Sequence, residues 1–439
     1  MNKWVLCFTF FIFFQKNAVS SVQTDTIRIT NIESLWSMAI ENNPTQKVYQ
    51  LKKLQAGYDN TASDGFRYPQ AGFSYNGQDN LKLSTTPIPG ALVGQPGKTI
   101  FLQFGKQYTH NSGLTVSYNL FDWQLVLQSR IAKENISLIG LQQNAFIQTL
   151  KTQLGQSYFA LLIADASLQV SKKDLILADS VMQITNQRFQ QGVTDASAVN
   201  QAAINYNNVK QNTYQSTELY KQALANIKIL TGYPVETGFS FKESISLDSL
   251  TEMKYTQIGQ DKNLLVYPYN IKLAGLQKDL QQAAYYPKVG LTGYLGYQQF
   301  RDDFGMSFGN GAWKDYQYVG VNLSWNLFTG FTNSNKLKSV IITDKIARKQ
   351  YESALTENKI NDAALLDSYT DYWNITNTAK KTYFLYGRNA ELSLQKYKEG
   401  LISMDTYLKT FEDYLHAENA YLNNLSTLLS VQANILARN

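Results

Sequence analysis

Apolar and polar residues alternate with a period of two in four uncharged segments of the chain. In residues 114–120, for example, every even position is apolar or aromatic and every odd position is polar. Such alternation predicts β-strands with one apolar face. It occurs in outer-membrane barrels and also in half-buried sheets of soluble proteins, so alternation alone leaves both open. The predicted strands cover about 70–78, 113–121, 289–298 and 317–328.

Aromatic residues near the ends of these strands favour a membrane barrel over a soluble sheet. Tyr68 and Trp123 flank the first pair of strands, and Tyr286 and Phe331 flank the second pair. Aromatic belts of this kind mark the two interfaces of a bilayer. The segments between paired strands, 79–111 and about 299–316, are rich in glycine and polar residues and are predicted to be loops.

A period of seven replaces the period of two in residues 122–191. Apolar residues recur at every seventh position from Ile147 to Phe189, and the neighbouring row is mostly small. This spacing predicts coiled-coil packing of long helices. No proline occurs in 97–233 or after 287, and each of these tracts is interrupted at a glycine, Gly192 or Gly400. The predicted helical hairpins are 122–232 and 334–437, preceded by shorter helices at 33–66 and 264–285.

The same phrase occurs twice in the chain. Residues 113–121 read Gly-Leu-Thr-Val-Ser-Tyr-Asn-Leu-Phe, and residues 320–328 read Gly-Val-Asn-Leu-Ser-Trp-Asn-Leu-Phe. Two further echoes keep the same order along the chain, 68–73 with 286–291 and 188–193 with 396–401. A repeat on this scale predicts one structural unit used twice.

The domain organisation follows from that repeat and from the N-terminus. Lys3, an apolar stretch at 4–14 and small residues at 18–20 predict a secretory signal peptide. The only cysteine, Cys7, lies inside the apolar stretch, which predicts no disulfide, no thiolate metal site and no lipid anchor in the mature chain. The predicted order is signal peptide 1–21, first repeat 22–233, linker 234–262 and second repeat 263–439.

The fold class predicted by these patterns is mainly α with β, and its geometry predicts an oligomer. No apolar segment of about 18 residues remains after the signal peptide, so a membrane form would require a closed barrel. Bacterial barrels begin at about eight strands, which four strands cannot supply. A hairpin helix of about 70 residues would span about 105 Å, which suits a conduit. A water-filled barrel is wider than eight strands, so three chains with twelve strands are expected.

Charge and catalytic motifs exclude several function classes. Removal of Lys3 and Lys16 with the signal peptide lowers the formal charge from +6 to +4, too little to predict nucleic-acid binding. His110 and His416 fall on different predicted elements and do not predict a metal site. Neither a phosphate-binding loop nor a nucleophile elbow occurs. We therefore expect no cofactor and no enzymatic activity, with energy supplied by a partner.

Several residue patterns, taken in order, resemble the TolC family of outer-membrane efflux ducts. They are Glu41-Asn-Asn-Pro44, Tyr68-Pro69, Asn119-Leu-Phe-Asp122, Asn326-Leu-Phe-Thr-Gly330 and the two glycine segments at 188–193 and 396–401. The resemblance covers about 30–437. It implies a homotrimer in outer-membrane lipid, with a twelve-stranded barrel and a helical tunnel in the periplasm. It also implies efflux or type I secretion with a periplasmic adaptor (a membrane fusion protein) and an inner-membrane RND, ABC or MFS transporter.

The resemblance also implies positions for the functional residues. Gly192, Val193, Gly400 and Leu401 would form the periplasmic tip that contacts the adaptor, although glycine also serves tight helix reversals without any partner. The junction between barrel and tunnel would hold the residues Asn119, Phe121, Asn326 and Phe328.

The aperture residues depart from the family pattern. Family members often carry an aspartate six residues after the tip glycine, where this chain has Ala198 and Thr406. Asp195 and Asp405 lie nearby at other offsets. Three copies of Asp405 would form a ring that attracts cations, or Asp405 would be the N-cap of the return helix.

Two other function classes compete with a duct. A structural coiled-coil protein or surface adhesin would explain the helices but not the four uncharged alternating strands. A barrel-borne enzyme would need a catalytic constellation that the sequence lacks.

Overall fold

The computed structural model describes residues 26–245, 247 and 252–439. The predicted signal peptide at 1–21, with Cys7, lies outside them. The described chain is mainly helical and also contains eight strands. Its helices are α1 Ile32–Asn42, α2 Pro44–Ser63, α3 Trp123–Gln190, α4 Ala196–Thr231, α5 Val266–Ala283, α6 Thr332–Lys398 and α7 Met404–Leu436. Its strands are β1 Ile27–Ile29, β2 Gln70–Asp79, β3 Thr85–Pro89, β4 Thr99–Gln103, β5 Tyr108–Phe121, β6 Phe239–Phe241, β7 Lys288–Arg301 and β8 Lys314–Ser324.

The two long helical hairpins, α3–α4 and α6–α7, agree with the ranges predicted from proline and glycine placement. The heptad row is buried in its middle, where Leu154, Leu161 and Leu168 are at most 8% exposed. The predicted single helix at 33–66 is wrong. It is two helices, because Asn43 takes an extended conformation before Pro44, as residues preceding proline commonly do. Among the described helices, none has the length and apolar character needed to cross a membrane.

The four long strands form one antiparallel sheet in the order β2-β5-β7-β8. The two hairpins have equivalent registers, since Gln70 pairs with Ser117 and the repeat-related Lys288 pairs with Ser324. The pairing of β5 with β7 joins the hairpins. It leaves β2 and β8 as the edges of the sheet within the described chain.

The period-two alternation places apolar side chains on one face of this sheet, as predicted. Leu114 lies opposite Leu295, and Leu291 lies opposite Val321. The face remains largely exposed within one chain, and Val319 and Val321 are 78% and 71% exposed. Apolar surface on this scale marks a region that another molecule or lipid covers.

The polar face carries a tyrosine that lies over two glycines. A Cβ atom added at Gly113 would stand 2.6 Å from Cζ of Tyr294 and 2.7 Å from the backbone of Gly296. Tyr294 is 8% exposed and stacks on Tyr318, with ring centroids 5.7 Å apart. The glycines of β5 and β7 therefore make room for an aromatic ring on the polar side of the sheet.

The two copies of the repeated phrase provide a matched test of that packing. We expect Gly113→Val to destabilise the sheet by about 2 kcal/mol, because overpacking of this size typically costs 1–3 kcal/mol. Its repeat partner Gly320 has nothing within 4 Å of an added Cβ, so Gly320→Val should cost much less. Resistance of the detergent-solubilised protein to heat unfolding measures both. Equal losses in the two variants would contradict the packing role of Gly113.

Four sequence predictions about strands and connecting segments need correction. The predicted loop 79–111 contains the hairpin β3–β4, and β5 begins five residues before the predicted strand at 113. The predicted linker 234–262 contains β6, which pairs in parallel with β1. The fourth strand was predicted to reach 328 and ends at Ser324.

The early end of β8 has a local cause. Gly330 and Phe331 have φ angles of +59° and +64°, so the chain turns through the left-handed region before α6 begins at Thr332. In the first repeat, Asp122 follows β5 directly, and its carboxylate accepts a hydrogen bond from the amide of Gln124 at 3.0 Å. The junction between β5 and α3 and the junction between β8 and α6 therefore have different local structures.

The described residues fall into two compact units. Among the described residues, the tip unit contains 26–43, 153–245, 247 and 375–430, and the sheet unit contains 44–152, 252–374 and 431–439. Each unit takes segments from both halves of the chain, so compact units and predicted repeats are different divisions. The assignment of 22–233 and 263–439 as structural repeats stays a prediction.

Candidate functional site

The reversal between α3 and α4 is built around Gly192. Its φ of +73° is the left-handed conformation that glycine adopts without strain. The amide of Val193 donates to the carbonyl of Arg188 at 2.9 Å, and the amide of Gly192 donates to the carbonyl of Phe189 at 3.0 Å. This pair of bonds is a Schellman motif, which satisfies the last carbonyls of a helix.

The reversal between α6 and α7 repeats the same motif at Gly400, whose φ is +78°. The amide of Leu401 donates to Lys396 at 2.9 Å, and the amide of Gly400 donates to Tyr397 at 3.0 Å. The repeated six-residue segment therefore forms the same hydrogen-bonded turn at both positions. Positive φ gives both glycines a structural reason to be glycine.

The structure brings the two reversals together within the tip unit. Arg188 donates from Nη2 to the carbonyl of Lys398 at 2.8 Å, and its guanidinium lies 4.8 Å from the ring centroid of Tyr397. The hydroxyl of Tyr397 lies 2.8 Å from that of Thr185, and both residues are buried. A cavity of about 660 Å³ is lined by both turns, including Gly192 and Gly400.

Sequence reasoning missed Thr185 and Tyr397 as the residues that join the two hairpins. The sequence contained one indication of this contact. In the repeated six-residue segment, Tyr397 occupies the position that Phe189 occupies in the first copy. Phe189 has no hydroxyl and is 46% exposed, whereas Tyr397 is 3% exposed. The two turns are therefore equivalent in backbone but not in side-chain packing. Val193 and Leu401 follow the glycines and present apolar side chains to solvent, at 69% and 68% exposure.

The two aspartates near the turns have different environments. Asp195 is the N-cap of α4, where its carboxylate accepts a hydrogen bond from the amide of Ala198 at 2.9 Å. The proposed N-cap role of Asp405 is wrong. Ser403 fills that position, and its hydroxyl accepts from the amide of Thr406 at 3.3 Å. Asp405 lies exposed in the first turn of α7, where a carboxylate interacts favourably with the helix dipole.

The predicted junction residues all lie in the sheet unit and are exposed. Asn119 and Phe121 end β5 at a β-bulge against β7. Asn326 and Phe328 lie beyond β8, where the Phe328 ring contacts Phe331 edge-on at 5.5 Å.

An ion pair holds the chain at the first junction. Lys288 Nζ, at the start of β7, lies 2.9 Å from the carboxylate of Asp122, which follows β5. Within the part of the chain that the structure describes, no group of three or more His, Cys, Asp or Glu side chains could hold a metal ion.

Comparisons with known proteins identify a family and structures that are similar to this chain. Residues 35–233 match the family described as "Outer membrane efflux protein". Two curated relatives extend the similarity beyond the first repeat. "Probable outer membrane lipoprotein SilC" of Salmonella typhimurium is 21% identical over 333 residues, covering 74% of this chain and 67% of the relative. "Toxin and drug export protein A" of Aggregatibacter actinomycetemcomitans is 22% identical over 345 residues, covering 75% and 70%.

Over residues 35–233, the chain is similar to the outer membrane efflux proteins. Its fold agrees with theirs beyond the matched family segment. The Campylobacter jejuni CmeC outer membrane channel superposes with a TM-score of 0.72 at 17% identity, covering 93% of this chain and 85% of the channel. The resemblance inferred from the sequence is thereby confirmed for the efflux family. The mainly helical fold with a smaller sheet is that of an outer-membrane channel.

Proposed function

We propose that this chain is one subunit of a passive outer-membrane exit duct of a tripartite efflux or type I secretion system. The observation that carries the proposal is the four-stranded sheet, which has an apolar face and two open edges. In a bilayer, each unpaired backbone group at such an edge costs several kcal/mol. The edges of β2 and β8 therefore require strands from other copies of the chain.

Three copies would close a barrel of twelve strands with a polar interior. Bacterial barrels start at about eight strands, and an eight-stranded interior is filled by side chains, so twelve suit a conduit. The face with Phe73, Val319 and Leu323 would meet lipid. The opposite face, with Asn76 and Asn322, would line the lumen.

The helix reversals suit contact with a periplasmic adaptor. Val193 and Leu401 expose apolar side chains next to hydrogen-bonded turns, where a partner would cover them. Of the two candidate aperture residues, Asp195 is occupied in capping α4. Asp405 is the carboxylate that three copies would combine into a ring at the aperture. The energy would come from an inner-membrane RND, ABC or MFS transporter.

The proposed location follows from the same assignment. Residues 1–21 would direct export and be removed. The two predicted repeats, 22–233 and 263–439, would each supply one membrane hairpin and one helical hairpin. The sheet would lie in the outer membrane, with the barrel–tunnel junction at Asn119, Phe121, Asn326 and Phe328, and the turns at Gly192 and Gly400 would lie in the periplasm.

Fractionation of cells that produce the full chain tests the proposal. We expect the protein in the outer membrane as a trimer that survives mild detergent. Recovery as a soluble monomer or dimer would contradict the duct and favour a coiled-coil rod or adhesin. A trimer in the outer membrane without any effect on export would contradict the transport role alone.

A further inference from the structure

Two carboxyl side chains are buried against each other in the tip unit. Asp174 on α3 is 6% exposed, and Glu418 on α7 is 4% exposed. Both side chains line one cavity of about 390 Å³, and the charge of Asp174 acts on Glu418. Glu418 Oε2 is buried and has no hydrogen-bond partner among the described residues. Two neighbouring carboxylates cannot both be ionised in such a site at low cost, so one proton is needed between them.

The surroundings offer the pair little positive charge. From α3, Lys173 acts on Asp174 through its charge. From α7, the hydroxyl of Tyr414 lies 3.5 Å from Asp174 Oδ1, and Tyr407 is fully buried nearby. α4 adds neutral groups such as Ser216 to the adjoining cavity of about 390 Å³. From α6, the side chains that line a second cavity beside Asp174 include Tyr383, Arg388 and Glu391.

Burial dominates the protonation of both groups. Burial, together with the charge of Asp174, raises the pKa of Glu418 to about 8. Burial also raises the pKa of Asp174 above its ordinary value, although hydrogen bonds from Glu418 and Tyr414 oppose this. Burial and the two carboxyls raise the pKa of Tyr414 as well, so its hydroxyl stays a hydrogen-bond donor.

A ladder of aromatic rings connects the acid pair with the turns. Tyr414 lies 5.9 Å from Phe411, Phe411 lies 6.0 Å from Tyr407, and Tyr407 lies 5.7 Å from Tyr397, measured between ring centroids. Tyr397 is the ring that Arg188 covers at the reversals. Tyr407, Phe411 and Tyr397 belong to one apolar cluster of the tip unit. A change in packing between α3 and α7 at the acid pair therefore acts on the residues that join the two turns.

We propose that Asp174 and Glu418 form a proton-dependent latch that holds α3 against α7 beneath the turns. With one shared proton, the pair is a buried hydrogen bond and the helices stay packed. Without it, two buried negative charges face each other, and the helices gain by separating and admitting water. The latch is a property of the tip unit. Its consequence, a looser tip at higher pH, rests on the proposed duct function.

The direction of the pH dependence follows from the raised pKa values. The folded pair binds more protons than the unfolded chain at pH values between the ordinary carboxyl pKa and about 8. The free energy needed to separate α3 from α7 is therefore largest at lower pH, and it decreases as pH rises through this interval. For one proton, the equilibrium constant for local opening rises by up to about tenfold per pH unit.

Hydrogen exchange of the purified full chain in detergent tests the latch. Exchange in 170–182 and 404–420 is followed from pH 5.5 to 8.5 and corrected for the intrinsic pH dependence of amide exchange. We expect protection in these segments to fall more than about tenfold over this range. Glu418→Gln, which stays neutral, should flatten the profile. Glu412→Gln, an exposed acid on the same helix, is the matched control and should follow the wild type.

Three outcomes would overturn the latch. One is a pH profile of Glu418→Gln equal to that of the wild type. Another is a shift of the profile by calcium or by EDTA, which would assign the pair to cation binding. If Glu418→Gln does not fold, Asp174→Asn and infrared titration of the wild type replace it. In the infrared titration, the latch would be contradicted if no protonated carboxyl band disappears as the pH rises towards 8. None of these measurements depends on export. The latch can therefore be supported even if the proposed duct function is contradicted.

Discussion

Cysteines at Asn76 and Asn322 are expected to link three copies of the chain into a covalent ring. The repeat predicts their proximity, because the pairing of β5 with β7 inside one chain serves as the template for pairing β8 with β2 of the next. Thr115 lies opposite Tyr294 in that template. The repeat-related positions are Asn322 and Asn76. Directly opposed residues have Cα atoms about 4.5–5.5 Å apart, which is within the range that a disulfide bridges.

The background and the controls are favourable for this experiment. The only natural cysteine is Cys7, in the predicted signal peptide. Ser117 and Thr292 lie opposite each other within one chain, so cysteines there should link without joining copies. Leu323 is adjacent to Asn322 on the other face, and Asn76→Cys with Leu323→Cys should link poorly. Monomers only, or equal linking with Leu323→Cys, in non-reducing electrophoresis would contradict the closed barrel or its register.

Leu401→Asp is expected to abolish most export while leaving the proposed trimer intact. The side chain is 68% exposed, so a carboxylate there costs the fold little. Burying that carboxylate without a partner at an adaptor interface would cost several kcal/mol. Each 1.4 kcal/mol is tenfold in affinity, so binding should fall by about a hundredfold or more. Accumulation of a fluorescent dye in cells producing wild type or variant measures export.

Gly400→Val separates the shape of the turn from its contact surface. A β-branched residue at φ +78° carries strain of about 1–3 kcal/mol. Nothing lies within 4 Å of the added Cβ, so the loss comes from the backbone and not from a clash. We expect intact trimers with a displaced turn and reduced export. Leu401→Asn, polar but uncharged, is the matched control for the charge. Unchanged export in Leu401→Asp and Gly400→Val would remove the tip assignment.

Much of the fold was predictable because it depends on local patterns. Proline-free tracts and a sevenfold apolar row predicted α3 and α6 within two residues of their starts. Period-two alternation predicted four strands and their apolar face. The end of β8 was not predictable in this way, because the left-handed residue Phe331 has a side chain that normally avoids positive φ.

The site was predictable only where the backbone itself was repeated. Gly192 and Gly400 predicted the two helix reversals, because a tight reversal requires a positive φ and glycine adopts it without strain. Capping by Ser403 in place of Asp405 depended on a shift of two residues in the helix start. The contact of Thr185 with Tyr397 and the pairing of Asp174 with Glu418 join residues far apart in the sequence. No local pattern encodes such contacts.

The central pairing of β5 with β7 has a consequence for how the protein is made. β5 ends at Phe121 and β7 begins at Lys288, with α3 and α4 between them. Long-range strand pairing forms slowly, because the ends of a long loop must first meet. The strands β2 and β5 would therefore lack their partner β7, and their apolar face would stay uncovered, until the second half of the chain has been synthesised and exported. During that interval the chain is most prone to aggregate, and chaperones have most reason to bind it.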